Sequence, residues 1–232
     1  GDVDAAHVVA YLRRALPDAT ITTSDIPEVD WAEEWKKGVG AHELGELSIV
    51  PPWLAEGRDP ARTIVIEPEM AFGTGEHQTT RGVVRLLPAL LRTGDRVADL
   101  GAGSAVLSIA AAKLGASQVF AIELDHDSIA NANENVVRNA VADRVTVLEG
   151  DAGVLLPLVA PVRVVLANIL SSVLLELLPR IAEALTEDGE AILSGILVEE
   201  RPAMVDALAA AGWRIVAEDV EGTWWSVRVA RP

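Results

Sequence analysis

The 232-residue chain contains no cysteine. This excludes disulfides, thiolate metal sites and a cysteine nucleophile, and it fits a reducing, cytoplasmic setting. No uninterrupted apolar run approaches ~18 residues, so no membrane span is expected. A secretory leader pattern, internal repeats and low-complexity tracts are also missing, apart from alanine richness in the helical stretches. Positive charge is scarce: 19 Lys and Arg stand against 35 Asp and Glu, for a formal net charge of -16. Such a surface repels phosphate backbones, which argues against nucleic acid as a direct partner, and it attracts a basic protein. The plainer reading, acidity for solubility, stays open beside it. What is abundant is apolar residue content, 50% of the chain, with 23% charged. That balance specifies a folded protein with a substantial core.

From residue 96 onward, strand and helix patterns alternate. Strands are expected at 96–101, 118–124, 144–149, 162–168 and 190–194. Helices are expected at 104–114, 128–139 (capped by Asp127), 171–185 (interrupted by Pro179) and 199–211. Two further strands, 213–218 and 224–230, close the chain around Glu221 and Gly222. This order predicts an α/β fold, a doubly wound and mostly parallel sheet with an antiparallel edge. The front of the chain reads differently. It suggests a helix at 5–16, a strand at 19–23, a short helix at 31–37, a strand at 47–50, a proline-bounded linker at 51–60 and a strand at 63–66. The resulting division is an α+β appendage over 1–60 and a catalytic domain over 61–232.

The stretch Ala98-Asp99-Leu100-Gly101-Ala102-Gly103-Ser104-Ala105 turns a strand into a helix. Glycine at such a turn lets backbone N–H groups approach a ligand. A dinucleotide fingerprint needs glycine or alanine where Val106 stands, so that pattern fails. The alternative is acidic-x-G-x-G-x-G, an S-adenosyl-L-methionine (AdoMet) signature, with Ala105 in place of the third glycine. Glu123, at the end of the next strand, is placed to accept from both ribose hydroxyls, with Asp125 as the runner-up. Asp151, after the third strand, is placed to meet an adenine amino group. Singly, each carboxylate reads as a solvated loop residue; at successive strand ends they read as a nucleoside site. His7, His42 and His126 show no metal-ligand spacing, and no metal site or nucleophilic triad can be assembled.

Two further motifs narrow the class. FGTGEHQTT runs from Phe72 to Thr80, and the fourth strand ends in Asn168-Ile169-Leu170. Together with DLGAGSAVLSIAAAKLGA, the segment LSGIL, Trp31, Trp35, Lys36 and the Pro52-Trp53 pair, they resemble the PrmA family, which methylates a large-subunit ribosomal protein. The resemblance covers roughly residues 30–232. It implies a class I AdoMet-dependent methyltransferase with a seven-stranded sheet, acting on lysine side chains and N-terminal amines of a ribosomal protein. It places Phe72, Gly73, Thr74 and His77 in the loop that covers the cofactor, and Asn168 beside the transferring methyl group. Thr79, Asp99, Gly101, Gly103, Glu123 and Asp151 complete the expected cofactor site. The chain departs from the family at Ala105, expected to crowd the methionine end of the cofactor, and at Glu123, where aspartate is more common. The residues ahead of Trp31 are also too few for the family's ferredoxin-like recognition domain. Two alternatives therefore accompany the reading: a methyltransferase for another amine, and an AdoMet-binding protein without turnover.

Methyl transfer to an amine needs the neutral amine. For lysine, with a reference pKa of about 10.4, neutralisation at pH 7 costs about 4.6 kcal/mol. Desolvation and a nearby sulfonium offset this. Asn168 suits such a site, since its carbonyl oxygen accepts from the amine without forming a salt bridge. His77 is either a proton acceptor or the cap of the helix that follows it, with Thr79 and Thr80 in the same capping region. Trp224 and Trp225 alternate faces on a strand, so one is expected in the core and the other outside it.

Overall fold

A computed structural model describes residues 5–22, 39–67 and 75–231. The Trp31–Lys36 motif and Phe72, Gly73 and Thr74 lie outside those residues. The chain forms two compact units, Gly1–Gly38 and Val39–Pro232. The first contains helix α1 (Ala5–Ala15), with Arg13 and Arg14 in its last turn, where cations complement the helix dipole. Residues 19–22, expected to start a strand, have no regular structure.

The second unit contains two sheets. The smaller joins β1 (His42–Leu44), β2 (Leu47–Val50) and β3 (Thr63–Val65), antiparallel and then parallel. Every residue of β2 is buried. β1 is too short to announce itself in the sequence. The division expected at residue 60 falls inside this sheet, because β2 and β3 pair across it.

The larger sheet is built from β4 (Arg96–Leu100), β5 (Gln118–Glu123), β6 (Val145–Glu149), β7 (Val162–Asn168), β8 (Leu185–Leu197), β9 (Arg214–Glu221) and β10 (Trp224–Ala230). Their order is β6-β5-β4-β7-β8-β10-β9. The first five are parallel, and β10 pairs antiparallel with β8 and β9. The inner parallel strands are covered on both faces, which is why β7 reads VRVVLAN with six of seven residues buried. One face packs against α2 (Gln78–Leu86), α3 (Val106–Lys113) and α4 (His126–Arg138). The other packs against α5 (Ala152–Val159), α6 (Ser171–Ala184) and α7 (Arg201–Ala210).

Strand order reverses between β4 and β7. In an open parallel sheet the crevice at that switch point, outside the carboxyl ends of the strands, receives the ligand. The glycine turn follows β4, and Asn168 ends β7, so the topology brings both to this crevice.

Three local details differ from the sequence expectations. The cap of α4 is Asp125, whose side chain accepts from Asp127 N, so the helix starts two residues earlier than expected. The sequence pattern marks no element at 152–159, where helix α5 lies with Pro157 inside it. It forms because Asp151 caps it, accepting from Val154 N at 3.2 Å, and because Leu156 and Val159 bury against the sheet. Strand β8 extends beyond 190–194 on both sides: its carboxyl end, to Leu197, pairs with β10, and Leu185 at its amino end pairs with Val162 of β7.

Candidate active site

The glycine turn is built from backbone conformations that favour glycine. Gly101 and Gly103 have φ values of 70° and 52°. A Cβ on Gly101 would fall 2.4 Å from Ile169 Cγ2, so the turn and the end of β7 are in direct contact there. Ala105, in the third-glycine position, also has positive φ, 64°, and is the N-cap residue of α3. Its methyl group is fully buried within the core beneath α3, and it is not among the residues lining the cleft described next. The cost of alanine here is therefore backbone strain of ~1 kcal/mol, not crowding of a ligand.

A cleft of about 650 Å³ opens over the carboxyl ends of β4, β5 and β6. Gly101, Ile122, Glu123, Leu124, Asp151 and Ile169 line it, with Arg180 at its α6 side. This volume suits a nucleoside-sized ligand. Glu123 is 9% exposed, and its two oxygens accept from Gly103 N at 2.7 Å and Asp125 N at 2.8 Å. Each carboxylate oxygen retains capacity for another donor, so Glu123 can still accept from ligand hydroxyls. Asp125 uses its own carboxylate on Asp127 N and Ser128 Oγ, which commits it to capping α4. Asp151 caps α5 and lines the same cleft.

Asp99 sits beneath the turn, fully buried, and accepts from Ser108 Oγ at 2.7 Å. Its second oxygen is buried and has no hydrogen-bond partner. Burial raises its carboxyl to about 7. The Ser108 bonds oppose that rise, and the nearby Glu123 carboxylate adds to it.

A second, smaller cavity of about 280 Å³ lies beyond β7. His77, Thr79, Asn168, Ile169, Leu170, Gly195 and Trp224 form its walls, and none of them carries a permanent charge. Asn168 Nδ2 donates to Thr80 Oγ1 at 3.5 Å. That anchor leaves Oδ1 as the acceptor end of the amide. His77 is the N-cap of α2: its Nδ1 accepts from Thr79 N at 3.4 Å and lies 2.7 Å from Thr79 Oγ1. Its ring meets Trp224 edge-on at 5.0 Å. Burial, and secondarily the Arg81 guanidinium, lowers its pKa, so the imidazole is neutral near pH 7. With Nδ1 accepting, the proton resides on Nε2. Trp225 is fully buried and Trp224 is partly exposed at this cavity, the alternation expected on a strand.

Ile169 and Leu170 line both cavities. The structure thus brings Asp99, Gly101, Gly103, Glu123 and Asp151 to one side of this partition. His77, Thr79 and Asn168 gather on the other. Sequence reasoning gave no wall role to Ile169, Gly195 or Leu124. The motif LSGIL was visible, but the contact of Gly195 with Ile169 depends on pairing between β7 and β8. No group of three or more potential metal-ligating side chains occurs among the described residues. Nor is any helix among them long and apolar enough to cross a membrane.

Comparison with known proteins agrees with this architecture. The profile of PrmA, described as ribosomal protein L11 methyltransferase, matches residues 2–232. A ribosomal protein L11 methyltransferase from Synechococcus sp. (strain RCC307) is 40% identical over 210 residues, spanning 88% of this chain and 70% of the relative. A crystal structure of ribosomal protein L11 methylase from Lactobacillus delbrueckii subsp. bulgaricus superposes with a TM-score of 0.72 at 33% identity, covering 82% of this chain and 98% of that one. An RNA methyltransferase from Salinibacter ruber, solved in complex with S-adenosyl-L-homocysteine, superposes with a TM-score of 0.50 at 25% identity, covering 65% of this chain and 90% of that one. A match over nearly the whole chain, joined to this identity and coverage, shows that the chain belongs to the PrmA family of ribosomal protein L11 methyltransferases.

Proposed function

We propose that this chain transfers methyl groups from AdoMet to lysine or N-terminal amines of a large-subunit ribosomal protein, the L11 protein of its relatives' names. One observation carries the reading: a carboxylate-lined cleft and a small uncharged pocket meet at a single partition, with Asn168 beside it. When bound, AdoMet supplies an electrophilic methyl group on a sulfonium. The residues do the rest. Glu123 holds the ribose hydroxyls, and the N–H groups already on its oxygens keep its carboxylate in place. Asp151 and the exposed Leu124 meet the adenine from polar and apolar sides. Gly101 lets the backbone of the turn approach the ligand. The S-adenosyl-L-homocysteine in the Salinibacter ruber structure supports the same ligand class.

On the far side, the acceptor amine enters a pocket whose walls, among the described residues, offer no carboxylate. An ammonium gains no counter-ion there, so desolvation favours the neutral amine that transfer requires. Asn168 Oδ1 accepts from that amine and orients its lone pair. His77 and Trp224 wall the pocket, and we assign His77 to capping α2. Phe72, Gly73 and Thr74 are assigned to cofactor binding from the family motif alone. Residues 1–60 are assigned to acceptor recognition. The net charge of -16 favours a basic protein over an RNA backbone, and that substrate implies a cytoplasmic site of action.

The test has two steps. AdoMet or S-adenosyl-L-homocysteine at ~100-fold over Kd raises the melting temperature by about 5–10 °C. Labelled methyl groups then pass to purified L11 protein. No thermal shift with either ligand refutes the cofactor assignment; binding without label in any ribosomal protein refutes the substrate assignment.

A further inference from the structure

Ser194 and Gly195 occupy the middle of LSGIL, and neither the fold class nor the cofactor site accounts for them. In the β7–β8 register Ser194 lies opposite Asn168. Its hydroxyl is fully buried, donates to Thr79 O at 3.2 Å and pairs with Ser226 Oγ at 2.7 Å. Thr79 is the wall residue to which the His77 cap is bonded. Gly195 has φ of 81°. A Cβ there would lie 2.3 Å from Ile169 O, 2.9 Å from its carbonyl carbon and 3.1 Å from its nitrogen. Every one of those atoms is backbone, so no side-chain rotation relieves the clash. Ile169 itself is held from the other side, where its Cγ2 would meet a Cβ on Gly101. The partition between the two cavities is thus seated between two positions without side chains.

We propose that Ser194 and Gly195 are positioning residues for methyl transfer: Ser194 fixes the Thr79 wall, and Gly195 fixes the Ile169 peptide and with it Asn168. The inference rests on the AdoMet and acceptor assignments above. Two adjacent residues of one strand set both walls of the acceptor pocket, so the distance from the Asn168 amide to the opening beside Ile169 depends on how closely β8 approaches. A methyl group on Gly195 enlarges that separation. Transfer is steeply sensitive to such displacement, and a misplacement of about 1 Å costs on the order of a hundredfold in rate.

The experiment compares Gly195→Ala with Gly94→Ala. Gly94 has φ of 92° and no atom within 4 Å of its Cβ position, so it carries similar left-handed strain without the contact. Both variants should melt lower than wild type, Gly195→Ala by the larger amount because its Cβ also meets the Ile169 backbone. Gly195→Ala alone should lose at least about tenfold in kcat toward L11 protein, with Kd for AdoMet within about twofold of wild type. Equal turnover in the two variants overturns the proposal. So does parallel loss of turnover and AdoMet binding in Gly195→Ala, which would make the residue a general support of the site. Should Gly195→Ala not fold, Ser194→Ala provides the second arm: lower kcat with unchanged Kd supports the proposal, and unchanged kcat refutes it. A wild-type protein that binds no AdoMet defeats the underlying reading instead, a result distinct from any of these.

Discussion

The two cavities on either side of Ile169 use opposite chemistry. The larger presents Glu123 and Asp151, with a buried Asp99 beneath its turn. The smaller presents an amide, a hydroxyl, a neutral imidazole and an indole. In the proposed assignment, charge is useful on the first side, because ribose hydroxyls and an adenine amino group are donors, and carboxylates are strong acceptors. On the second side a carboxylate would hold the acceptor as ammonium and stop the reaction. As an acceptor site, the proposed role, such a pocket would select a protonation state as much as a molecule. This role also gives a reason for the lack of acidic side chains among the described residues of that wall.

The strongest way to break this contrast is Asn168→Ala, which removes the only side-chain amide among the described residues that line the small pocket. Turnover should fall about a hundredfold or more, with AdoMet affinity within about twofold, because the lost interaction acts on the acceptor. Steady-state kinetics and calorimetry on the same sample read both numbers. Equal losses in both would place Asn168 on the cofactor side. The reverse pattern is expected for Glu123→Ala. Losing charge-assisted hydrogen bonds of about 1.5–3 kcal/mol should weaken AdoMet binding about tenfold to a hundredfold. It should also lower stability, since Gly103 N and Asp125 N lose their acceptor. A Glu123→Ala variant with the wild-type AdoMet thermal shift would remove the ribose assignment.

How far this contrast was legible in the sequence follows from where its information sits. Asp99, Gly101, Gly103, Glu123 and Asp151 lie at strand ends within short motifs, and buried parallel strands announce themselves as apolar runs. Their convergence could be read from the chain alone. The sheet's antiparallel edge was also legible, from the two final strands around Gly222. The acceptor pocket was not. Its walls come from the start of α2, the end of β7, the carboxyl end of β8 and the start of β10, and only the strand order brings them together. Ala105 shows a different limit. The pattern marks it as a missing glycine, but not whether its methyl group meets ligand or core. The left-handed turn sends it into the core.

A smaller effect tests the electrostatics beneath the glycine turn. Asp99 titrates near 7 when folded, against 3.8 for an ordinary aspartate. The native state therefore binds more protons than the unfolded chain between about pH 4 and 7, and this residue's contribution to stability falls as pH rises through that window. Asp99→Asn keeps the shape and removes the charge. Its melting temperature should exceed that of wild type at pH 8 by at least about 3 °C and match it near pH 4, so that the difference grows with pH. A constant difference across the range would mean that Asp99 is not protonated in the folded protein.

The smallest expected effect separates the two roles open to His77. As a base, its ring nitrogen would have to take the amine's proton. As a cap, Nδ1 is already engaged by Thr79, and the lowered pKa makes the protonated ring harder to form. Asparagine is among the best N-cap residues, while alanine in a cap position costs ~1 kcal/mol. His77→Asn should therefore melt within about 2 °C of wild type and retain kcat within about threefold, whereas His77→Ala should lose stability and some turnover together. General-base catalysis is worth about a hundredfold or more. A loss of that size in His77→Asn, with stability intact, would assign the proton transfer to His77 and end the view of the small pocket as a purely neutral one.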